Sequence, residues 1–515
     1  MRNANLVIVT AVLTCAGGGL ALAQPAAPAK PAEKPAAPAA AASAPAYKVE
    51  TIADNLSVPW DMCWDHTGRM LFTERGGKVR QISAGKLDAN PVFTVGDIRT
   101  GGEIGLMGIC LHPDFKTNGY IYIAYGHKDE SGDSPSNDVR VVRLKEAGGK
   151  ITQDKVILSG IPATARRGSN HAGCSVRFGP DGKLYISTGE RFEGKLAQDM
   201  NSLGGKILRV NDDGSIPADN PFAGKPNTRG EIWAFGIRNS QGIDWQPGTN
   251  LLFETEHGPS SEYKNSGGHD EFNLIEKGKN YGWPVIAGAD TKEGMEMPLI
   301  DWAQVVAPAS CKFYNADKFP QWKGRVLVGA LGGIPPQRPG IIVITLDGKK
   351  VANQERIVTD MGRIRAVNVG PDGYIYFSTS NKDGRNTPGN GDDRICRLVP
   401  PGAAAAENTA KPETKPAAAA GALASPTGQQ LGSKENPVKC DMPEGERAYL
   451  TRLRGPNGEV PKINRRGSTG KGPDGHIMDI YIVVLGKQQI EVYMDMYHPG
   501  HVEEKPIDGL TLVKE

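Results

Sequence analysis

The sequence predicts an all-β protein in which residues 47–400 form a six-bladed β-propeller and a small C-terminal β domain follows an Ala/Pro-rich linker. Three observations support this fold class. The chain of 515 residues contains 65 glycines and 38% hydrophobic residues, which favours turn-rich β structure over helices. A turn followed by a hydrophobic strand recurs six times. Two Ala/Pro-rich segments isolate the block that carries these repeats.

The repeated unit is a tight turn that leads into a strand. Its copies begin at Asp65, His112, Gly179, Gln246, Phe319 and Gly370. In the clearest copies proline presets φ, glycine supplies a positive φ, and the Ile, Tyr and Phe that follow are typical of buried strands. A spacing of roughly 50 to 75 residues favours propeller blades over a β-sandwich, whose strands recur every 8–12 residues or so. We expect residues 47–52 to pair with 394–399 and close the ring.

The N-terminal segments predict export. Arg2 gives a positive start, residues 6–13 are apolar, and the small residue Ala23 fits a cleavage site, so residues 1–23 are interpreted as a signal peptide. This predicts a periplasmic or secreted protein. Residues 24–46 and 401–436 are rich in Ala and Pro and predict extended linkers. No apolar run reaches the roughly 18 residues that a transmembrane span needs, so none is expected.

The tail, residues 437–515, predicts a small β domain of unknown function. Residues 477–484 and 490–497 have the alternation of a β-hairpin. His498 and His501 have the spacing of half a metal site, but neither a cysteine nor a second pair accompanies them. We therefore expect a plain loop there.

Charge and cysteine content exclude several functions. The chain has 60 Lys and Arg against 58 Asp and Glu, a net charge of +2, so it lacks the basic field that a nucleic-acid partner requires. The six cysteines after residue 23 form no CxxC pair, which excludes a zinc ribbon and haem attachment. Export permits disulfides, yet the apolar strand contexts of these cysteines favour buried thiols.

His171 and Glu190 are the first candidate site residues. Nineteen positions separate them, so one enters and the other leaves the hairpin of the third repeat, and both should reach the same rim. A histidine beside a carboxylate is the arrangement of a general base, because the carboxylate fixes the tautomer and stabilises the imidazolium. The ordinary alternative is a structural His–Glu pair.

Two further clusters flank the fourth repeat. Arg238 and Asn239 precede its strand, and as a cation and a hydrogen-bond donor they can hold a carbonyl-bearing ligand. Residues 256–259 follow the strand, and the backbone carbonyls of this stretch are the hard oxygen ligands that calcium prefers.

Arg363 and Arg365 precede the strand of the sixth repeat. Strand alternation puts both side chains on one face, and two converging guanidinium groups suit a polyanionic small ligand. The ordinary alternative is a solvated, charged strand edge.

The order of these motifs resembles the glucose/sorbosone dehydrogenase family, the soluble aldose sugar dehydrogenases that use pyrroloquinoline quinone (PQQ) and calcium. The resemblance covers nearly all of residues 47–400. The motifs that carry it begin at Gly101, His112, Asn170, Gly179, Gln198, Gly205, Pro217, Arg238, Glu256, Asn280 and Arg363. It implies an oxidoreductase that converts the C1 hydroxyl of an aldose to a lactone.

The resemblance also implies roles for single residues. His171 would be the general base, Glu190 its acidic partner, and Arg238 and Asn239 the contacts to the quinone oxygens. Glu103 would line the pocket.

For the rest of the cofactor site, the resemblance implies that Arg363 and Arg365 face the cofactor carboxylates. The carbonyls of Gly258 and Pro259 would hold calcium. Since no haem motif is present, electrons would leave to a separate acceptor.

This sequence departs from the family pattern at several positions. Gly332 stands where a lysine is expected, Ala366 where an aspartate follows the arginine pair, and Ser175 where arginine is common. Arg338 is a hypothetical substitute for the lysine. Two alternatives stay open. One is a non-catalytic sugar- or partner-binding propeller that has lost the cofactor, which the missing lysine and the tail favour. The other is a calcium-dependent propeller hydrolase such as a lactonase, which would need several carboxylates around one metal.

Overall fold

The computed structural model describes residues 47–128, 137–163, 170–264, 267–333, 338–401, 425–427, 430–456, 458–486, 488–498 and 501–513. The predicted signal peptide 1–23, the linker 24–46 and most of the linker 401–436 lie outside these residues. Among the described residues, no helix combines the length and the apolar character that crossing a membrane requires.

Antiparallel sheets of four strands dominate residues 47–401. The first strand, β1, spans Lys48–Ala53. The next two sheets contain β2 (Pro59–Trp64), β3 (Met70–Glu74), β4 (Lys78–Ser83), β5 (Lys86–Leu87) and β6 (Phe93–Thr94), and then β7 (Leu106–Leu111), β8 (Tyr120–Lys128), β9 (Asn137–Ala147) and β10 (Lys150–Pro162). The third and fourth sheets contain β11 (Gly173–Phe178), β12 (Leu184–Thr188), β13 (Lys206–Val210) and β14 (Ile232–Phe235), and then β15 (Ser240–Trp245), β16 (Leu252–Glu256), β17 (Asp270–Ile275) and β18 (Ile300–Trp302).

Two more sheets follow. They contain β19 (Pro308–Phe313), β20 (Val326–Ala330), β21 (Gly340–Asp347) and β22 (Lys350–Ile357), and then β23 (Ile364–Val369), β24 (Ile375–Thr379) and β25 (Ile395–Val399), to which β1 adds as the fourth strand. Short helices connect some strands: α1 (Phe115–Asn118), α2 (Lys195–Gln198) and a 3-10 helix at Pro320–Trp322.

The first strands of successive sheets contact one another. The contacts run from β2 to β7, β11, β15, β19 and β23, and β23 also contacts β2. The predicted pairing between the two ends of this block is present, because β1 pairs with β25, with Lys48 opposite Val399 and Thr51 opposite Cys396.

The repeated turns form as their sequences predict. Gly182 has a φ of 71°, which glycine adopts without strain. In the same turn the Asp181 carboxylate accepts a hydrogen bond from the Tyr185 hydroxyl at 3.0 Å. The last repeat has the same pair, with Asp372 accepting from Tyr376 at 2.8 Å. The aspartate of the Pro-Asp-Gly turn therefore fastens the turn to the strand that follows it.

Glycines allow the first strands of neighbouring sheets to approach closely. A Cβ at Gly108 on β7 would lie 2.4 Å from the carbonyl oxygen of Cys174 on β11. A Cβ at Gly242 on β15 would lie 2.4 Å from the amide nitrogen of Cys311 on β19. Since no real side chain fits at these distances, glycine is required at both positions.

A small cavity lies between the first strands of successive sheets. Its lining comes from β2, β7, β11, β15, β19 and β23: Trp60, Asp61, Gly108, Ser175, Arg177, Gln241, Ala309, Ser310 and Arg365. Inside it, Nη1 and Nη2 of Arg177 donate to the two carboxylate oxygens of Asp61 at 2.7 and 2.9 Å. This ion pair joins β2 to β11 across the cavity.

The tail contains a second type of sheet. Its elements are β26 (Val438–Lys439), α3 (Met442–Arg452), β27 (Leu453–Arg454), β28 (Lys462–Lys471), β29 (Ile477–Leu485), β30 (Gln488–Asp495) and β31 (Thr511–Leu512). The sheet order is β26-β30-β29-β28, and β27 pairs with β31. The predicted hairpin is β29 and β30, whereas helix α3 was not predicted. Tyr449 and Leu453 pack with Val483 and Val492 in one apolar cluster.

The cysteines behave as core residues. Cys110, Cys174, Cys311, Cys396 and Cys440 are buried free thiols, and Cys63 is a half-buried free thiol. No disulfide therefore occurs among the cysteines that the structure describes.

Glu446 on α3 is a buried carboxylate, with 1% of its surface exposed. The Tyr481 hydroxyl donates to its Oε2 at 2.9 Å. Burial raises the pKa of Glu446 to about 7, above the value of about 4.3 expected in an unfolded chain. The contribution of Glu446 to stability is therefore complete below the unfolded pKa and is lost as the pH rises through about 7.

We expect Glu446→Gln to stabilise the tail by about 1–3 kcal/mol at pH 8 and to change its stability little at pH 4. Amide exchange of β29 and β30 measures this stability at both pH values. Glu504→Gln, which alters an exposed carboxylate, is the matched control. Equal protection of the variant and the wild type at pH 8 would contradict the prediction.

Candidate active site

His171 and Glu190 meet as the hairpin argument predicts. His171 Nδ1 lies 3.0 Å from Glu190 Oε1, and the two residues are 5% and 1% exposed. The pair lies between the loop that precedes β11 and the loop that follows β12. Because Nδ1 faces the carboxylate, Nε2 is the nitrogen left for a substrate.

The backbone around this pair is strained. His171, Arg191 and Phe192 have φ values of 57°, 61° and 60°, in the left-handed region that side chains rarely occupy. The Phe192 ring lies 3.7 Å from the imidazole, centroid to centroid, and limits its rotation. Strain of this kind concentrates at functional sites, where the surrounding contacts maintain it.

The Glu103 carboxylate connects three segments of the chain through hydrogen bonds. Its Oε2 accepts hydrogen bonds from the His171 amide at 2.9 Å and from Asn239 Nδ2 at 3.2 Å. Burial alone would raise the pKa of Glu103, but electrostatic interactions with His257, His171 and Arg365 lower it to about 2. Glu103 is therefore ionised at neutral pH and supplies a fixed negative charge beside the histidine.

Arg238 and Asn239 lie next to the same pair. Arg238 Nε is 4.0 Å from Glu190 Oε1, and its main partner is Glu262 Oε1 at 2.8 Å. Asn239 Oδ1 accepts from the Gly173 amide at 3.1 Å. The structure therefore brings Arg238, Asn239, Glu103, Glu190 and His171 into one buried network.

The predicted calcium loop is held by a carboxylate. The Gly258 amide donates to Asp270 Oδ1 at 2.8 Å, and the Val306 and Ala307 amides donate to Asp270 Oδ2, each at 2.7 Å. The Pro259 carbonyl accepts from the Gly268 amide at 3.1 Å.

His257 connects this loop to the network. Its amide donates to the Asn239 carbonyl, and its carbonyl accepts from Arg238 Nη1 at 2.9 Å. Burial lowers the pKa of His257 to about 4, so the ring is neutral at pH 7. Nε2 of His257 is buried and has no hydrogen-bond partner among the described residues.

Arg363 and Arg365 share one counter-ion. Nε and Nη2 of Arg363 donate to Asp383 Oδ2 at 3.0 and 2.6 Å, and Arg365 Nη2 is 3.6 Å from the same oxygen. The Arg365 guanidinium also lies 3.8 Å from the centroid of the Trp60 ring, and burial lowers the pKa of Arg365 to about 10. The two arginines therefore lie together, as alternation predicts, but Asp383 balances one of the two charges.

Gly332, where the family pattern has a lysine, lies beside a contact of Arg363. Nη1 of Arg363 donates to the Leu331 carbonyl at 2.6 Å, one residue before Gly332. A Cβ at Gly332 would lie 3.2 Å from the Ala307 Cβ, so a side chain fits there only if its neighbours shift slightly. Arg338 returns close to Gly333 through its backbone, but its side chain is exposed.

Several residues of the site were not predicted. Asp383 follows Arg363 by 20 positions, so the hairpin argument that paired His171 with Glu190 could have identified it. Trp60 is 305 positions before Arg365 and lies on the first sheet. No local pattern indicates such a contact, and none indicates the stacking of Phe192 on His171.

Comparisons with known proteins identify the family of the chain. The family model described as glucose/sorbosone dehydrogenase matches residues 56–388. An aldose sugar dehydrogenase of Escherichia coli (strain K12) is 37% identical over 358 residues, which are 66% of this chain and 92% of that protein.

Solved structures give the same result. The apo-form of the soluble aldose sugar dehydrogenase from Escherichia coli is 35% identical, with a TM-score of 0.60 over 69% of this chain and 99% of that chain. The PQQ-bound form of the aldose sugar dehydrogenase from Streptomyces coelicolor is 30% identical, with a TM-score of 0.57 over 69% of this chain and 99% of that chain. This chain belongs to the glucose/sorbosone dehydrogenase family.

Proposed function

We propose that this protein is a PQQ- and calcium-dependent aldose dehydrogenase that oxidises the C1 hydroxyl of its sugar to a lactone. The observation that carries the proposal is the buried His171–Glu190 pair beside Arg238 and Asn239. The aldose sugar dehydrogenases among the relatives, one of them bound to PQQ, support it.

The proposed scaffold is a closed six-bladed propeller over residues 47–400. The contacts between the first strands of successive sheets, including those of β23 with β2, support a closed ring of sheets. The cavity lined by all of these strands supports a central axis.

The described residues fit a cofactor that carries quinone oxygens and carboxylates. Arg238 and Asn239 offer a cation and an amide, and Arg363 and Arg365 retain one net positive charge beside Asp383. His257 Nε2 is a buried polar atom that lacks a partner among the described residues, and such atoms are rarely left unsatisfied in native proteins. The carbonyls of Gly258 and Pro259 would hold calcium.

Bound PQQ would accept the hydride from the sugar, and the protein supplies orientation and proton transfer. Glu190 accepts a hydrogen bond from the Nδ1–H of His171, so that Nε2 carries the lone pair that takes the C1 hydroxyl proton. The carboxylate then stabilises the imidazolium. Phe192 and the Glu103 bond to the His171 amide hold the ring in place.

Reconstitution tests the proposal. Purified protein is stripped of metal and supplied with PQQ and calcium, and reduction of a redox dye is followed across a panel of aldoses. We expect turnover that requires both additions. If the protein binds aldoses but neither binds PQQ nor turns over, it is instead a sugar-binding propeller, the alternative that Gly332 and the Asp383 counter-ion favour.

Glu190 is proposed as a positioning residue. We expect Glu190→Gln to lower kcat on the order of 100-fold, because the imidazolium loses its negative partner. KM should change little, since Glu190 acts through His171 and does not bind the sugar. Glu193→Gln, which alters a nearby carboxylate whose side chain is 38% exposed, is the control and should retain the wild-type kcat and KM. A variant that keeps the wild-type kcat, or that changes KM as much as kcat, would contradict this role.

The organisation of the chain is proposed as the sequence predicts it. We propose a signal peptide over residues 1–23, a periplasmic or secreted location, linkers at 24–46 and 401–436, and a separate domain at 437–515. We also propose that a separate acceptor, which is not a haem of this chain, removes the electrons.

A further inference from the structure

We propose that the tail carries a binding site for a divalent transition-metal ion, formed by His476, Asp495 and His498. One ligand atom from each residue lies within 4.8 Å of the others. Within the part of the chain that the structure describes, no other group of three such residues meets this criterion. The inference does not depend on the proposed function, because the residues lie outside the sheets that hold the sugar site.

The fold brings the three residues together. His476 directly precedes β29, and Asp495 ends β30, the strand that pairs with β29. His476 Nδ1 lies 3.1 Å from Asp495 Oδ2. His498 follows three residues later, and its Nε2 lies 3.1 Å from the same oxygen. Two imidazoles therefore face one carboxylate that is fully buried.

His498 has a buried ring nitrogen without a hydrogen bond. This atom, Nε2, makes no hydrogen bond within the described residues, although it lies 3.1 Å from Asp495 Oδ2 and 3.5 Å from Asp474 Oδ2. A buried polar atom without a hydrogen bond is costly. A cation between this nitrogen and the Asp495 carboxylate would give the nitrogen a partner. Asp474, whose Oδ2 also pairs with Lys439 Nζ at 2.5 Å, is a candidate for a fourth ligand.

The donor set selects the class of metal. Two imidazole nitrogens and a carboxylate oxygen suit Zn²⁺ and its neighbours, whereas calcium prefers oxygen ligands alone. Ligand bonds of about 2.0–2.2 Å in a tetrahedral zinc site place the ligand atoms roughly 3.3 Å apart. Both separations between an imidazole nitrogen and Asp495 Oδ2 are 3.1 Å, close to this value, and the three ligand atoms all lie within 4.8 Å of one another. The expectation of a plain loop considered His498 with His501 and overlooked His476 and Asp495, which come from the hairpin.

Zinc binding by the full chain tests the site. The protein is first saturated with PQQ and calcium, and bound Zn²⁺ is then measured by equilibrium dialysis. We expect one ion per chain, and visible absorption typical of tetrahedral Co²⁺ when cobalt replaces zinc. His476→Ala and His498→Gln should each weaken binding by at least about tenfold.

Two controls make the result specific. His66→Ala removes an exposed histidine of the first sheet, and His171→Gln alters the proposed sugar site, so both should bind zinc like the wild type. Amide exchange of β29 and β30 should slow when zinc is added to the wild type but not to His498→Gln, whose folding circular dichroism verifies. The proposal is overturned if the wild type binds no zinc, or if both tail variants bind it with wild-type affinity.

Discussion

His171→Gln is expected to lower kcat for aldose oxidation by about 1,000-fold and to leave the affinity for PQQ nearly unchanged. General bases contribute on the order of 10²–10⁴ to enzymatic rates, and glutamine cannot take the C1 hydroxyl proton. The fold should tolerate the change, because the bond to Glu103 comes from the backbone amide and the glutamine side chain can still donate to Glu190.

The measurement is kcat at saturating PQQ and calcium, together with a fluorescence titration of PQQ. His112→Gln is the matched control, because this histidine also lies near a carboxylate, Asp212 at 3.6 Å, but belongs to the turn between β7 and β8. A variant at position 171 that keeps more than about a tenth of the wild-type kcat would show that another group takes the proton.

Arg177→Met is expected to reduce the free energy of unfolding by about 3–5 kcal/mol. Its guanidinium makes two hydrogen bonds to Asp61 inside the cavity between the sheets, and the Asp61 side chain is only 7% exposed. The substitution preserves the apolar stem but leaves a buried carboxylate without its cation. Urea unfolding measures the change.

The double variant Arg177→Met, Asp61→Asn distinguishes the cost of an unpaired buried charge from the cost of lost packing. The neutral amide that replaces the Asp61 carboxylate removes the unpaired charge. Its oxygen can still accept from the Ile109 amide, which donates to Asp61 Oδ2 at 3.0 Å in the wild type. We expect the double variant to recover at least half of the lost stability. A loss below about 1 kcal/mol in the single variant would show that water in the cavity solvates Asp61.

The sequence predicts the repeats well because their turns are chemically explicit. The strands at Leu184–Thr188 and Ile375–Thr379 follow Pro-Asp-Gly turns whose aspartates bond to tyrosines within the same hairpin. Helix α3 was missed although it has a start signal, with Asp441 at its N-cap and a proline in its first turn. Gly445 lies near its start, and glycine disfavours helices. Packing of Tyr449 and Leu450 in the tail core stabilises the helix.

The same difference between local patterns and long-range packing applies to the candidate site. His171 with Glu190, and Arg363 with Arg365, could be predicted because hairpin ends and strand alternation fix their positions. The Glu103 bond to His171 and the Trp60 contact with Arg365 join different sheets. Their geometry depends on how the sheets pack, which the spacing of residues along the chain does not determine.

The pairing of β1 with β25 has a consequence for synthesis of the chain. Residue 48 leaves the ribosome early, but its pairing partner at residue 399 is made some 350 residues later. Until then β1 has no strand to pair with, and exposed strand edges promote aggregation. Contacts of such high sequence separation slow folding, because closing the long loop costs conformational entropy before the contact can stabilise the fold. We therefore expect this chain to fold late, after its translation, and to depend on chaperones while β1 waits for its partner.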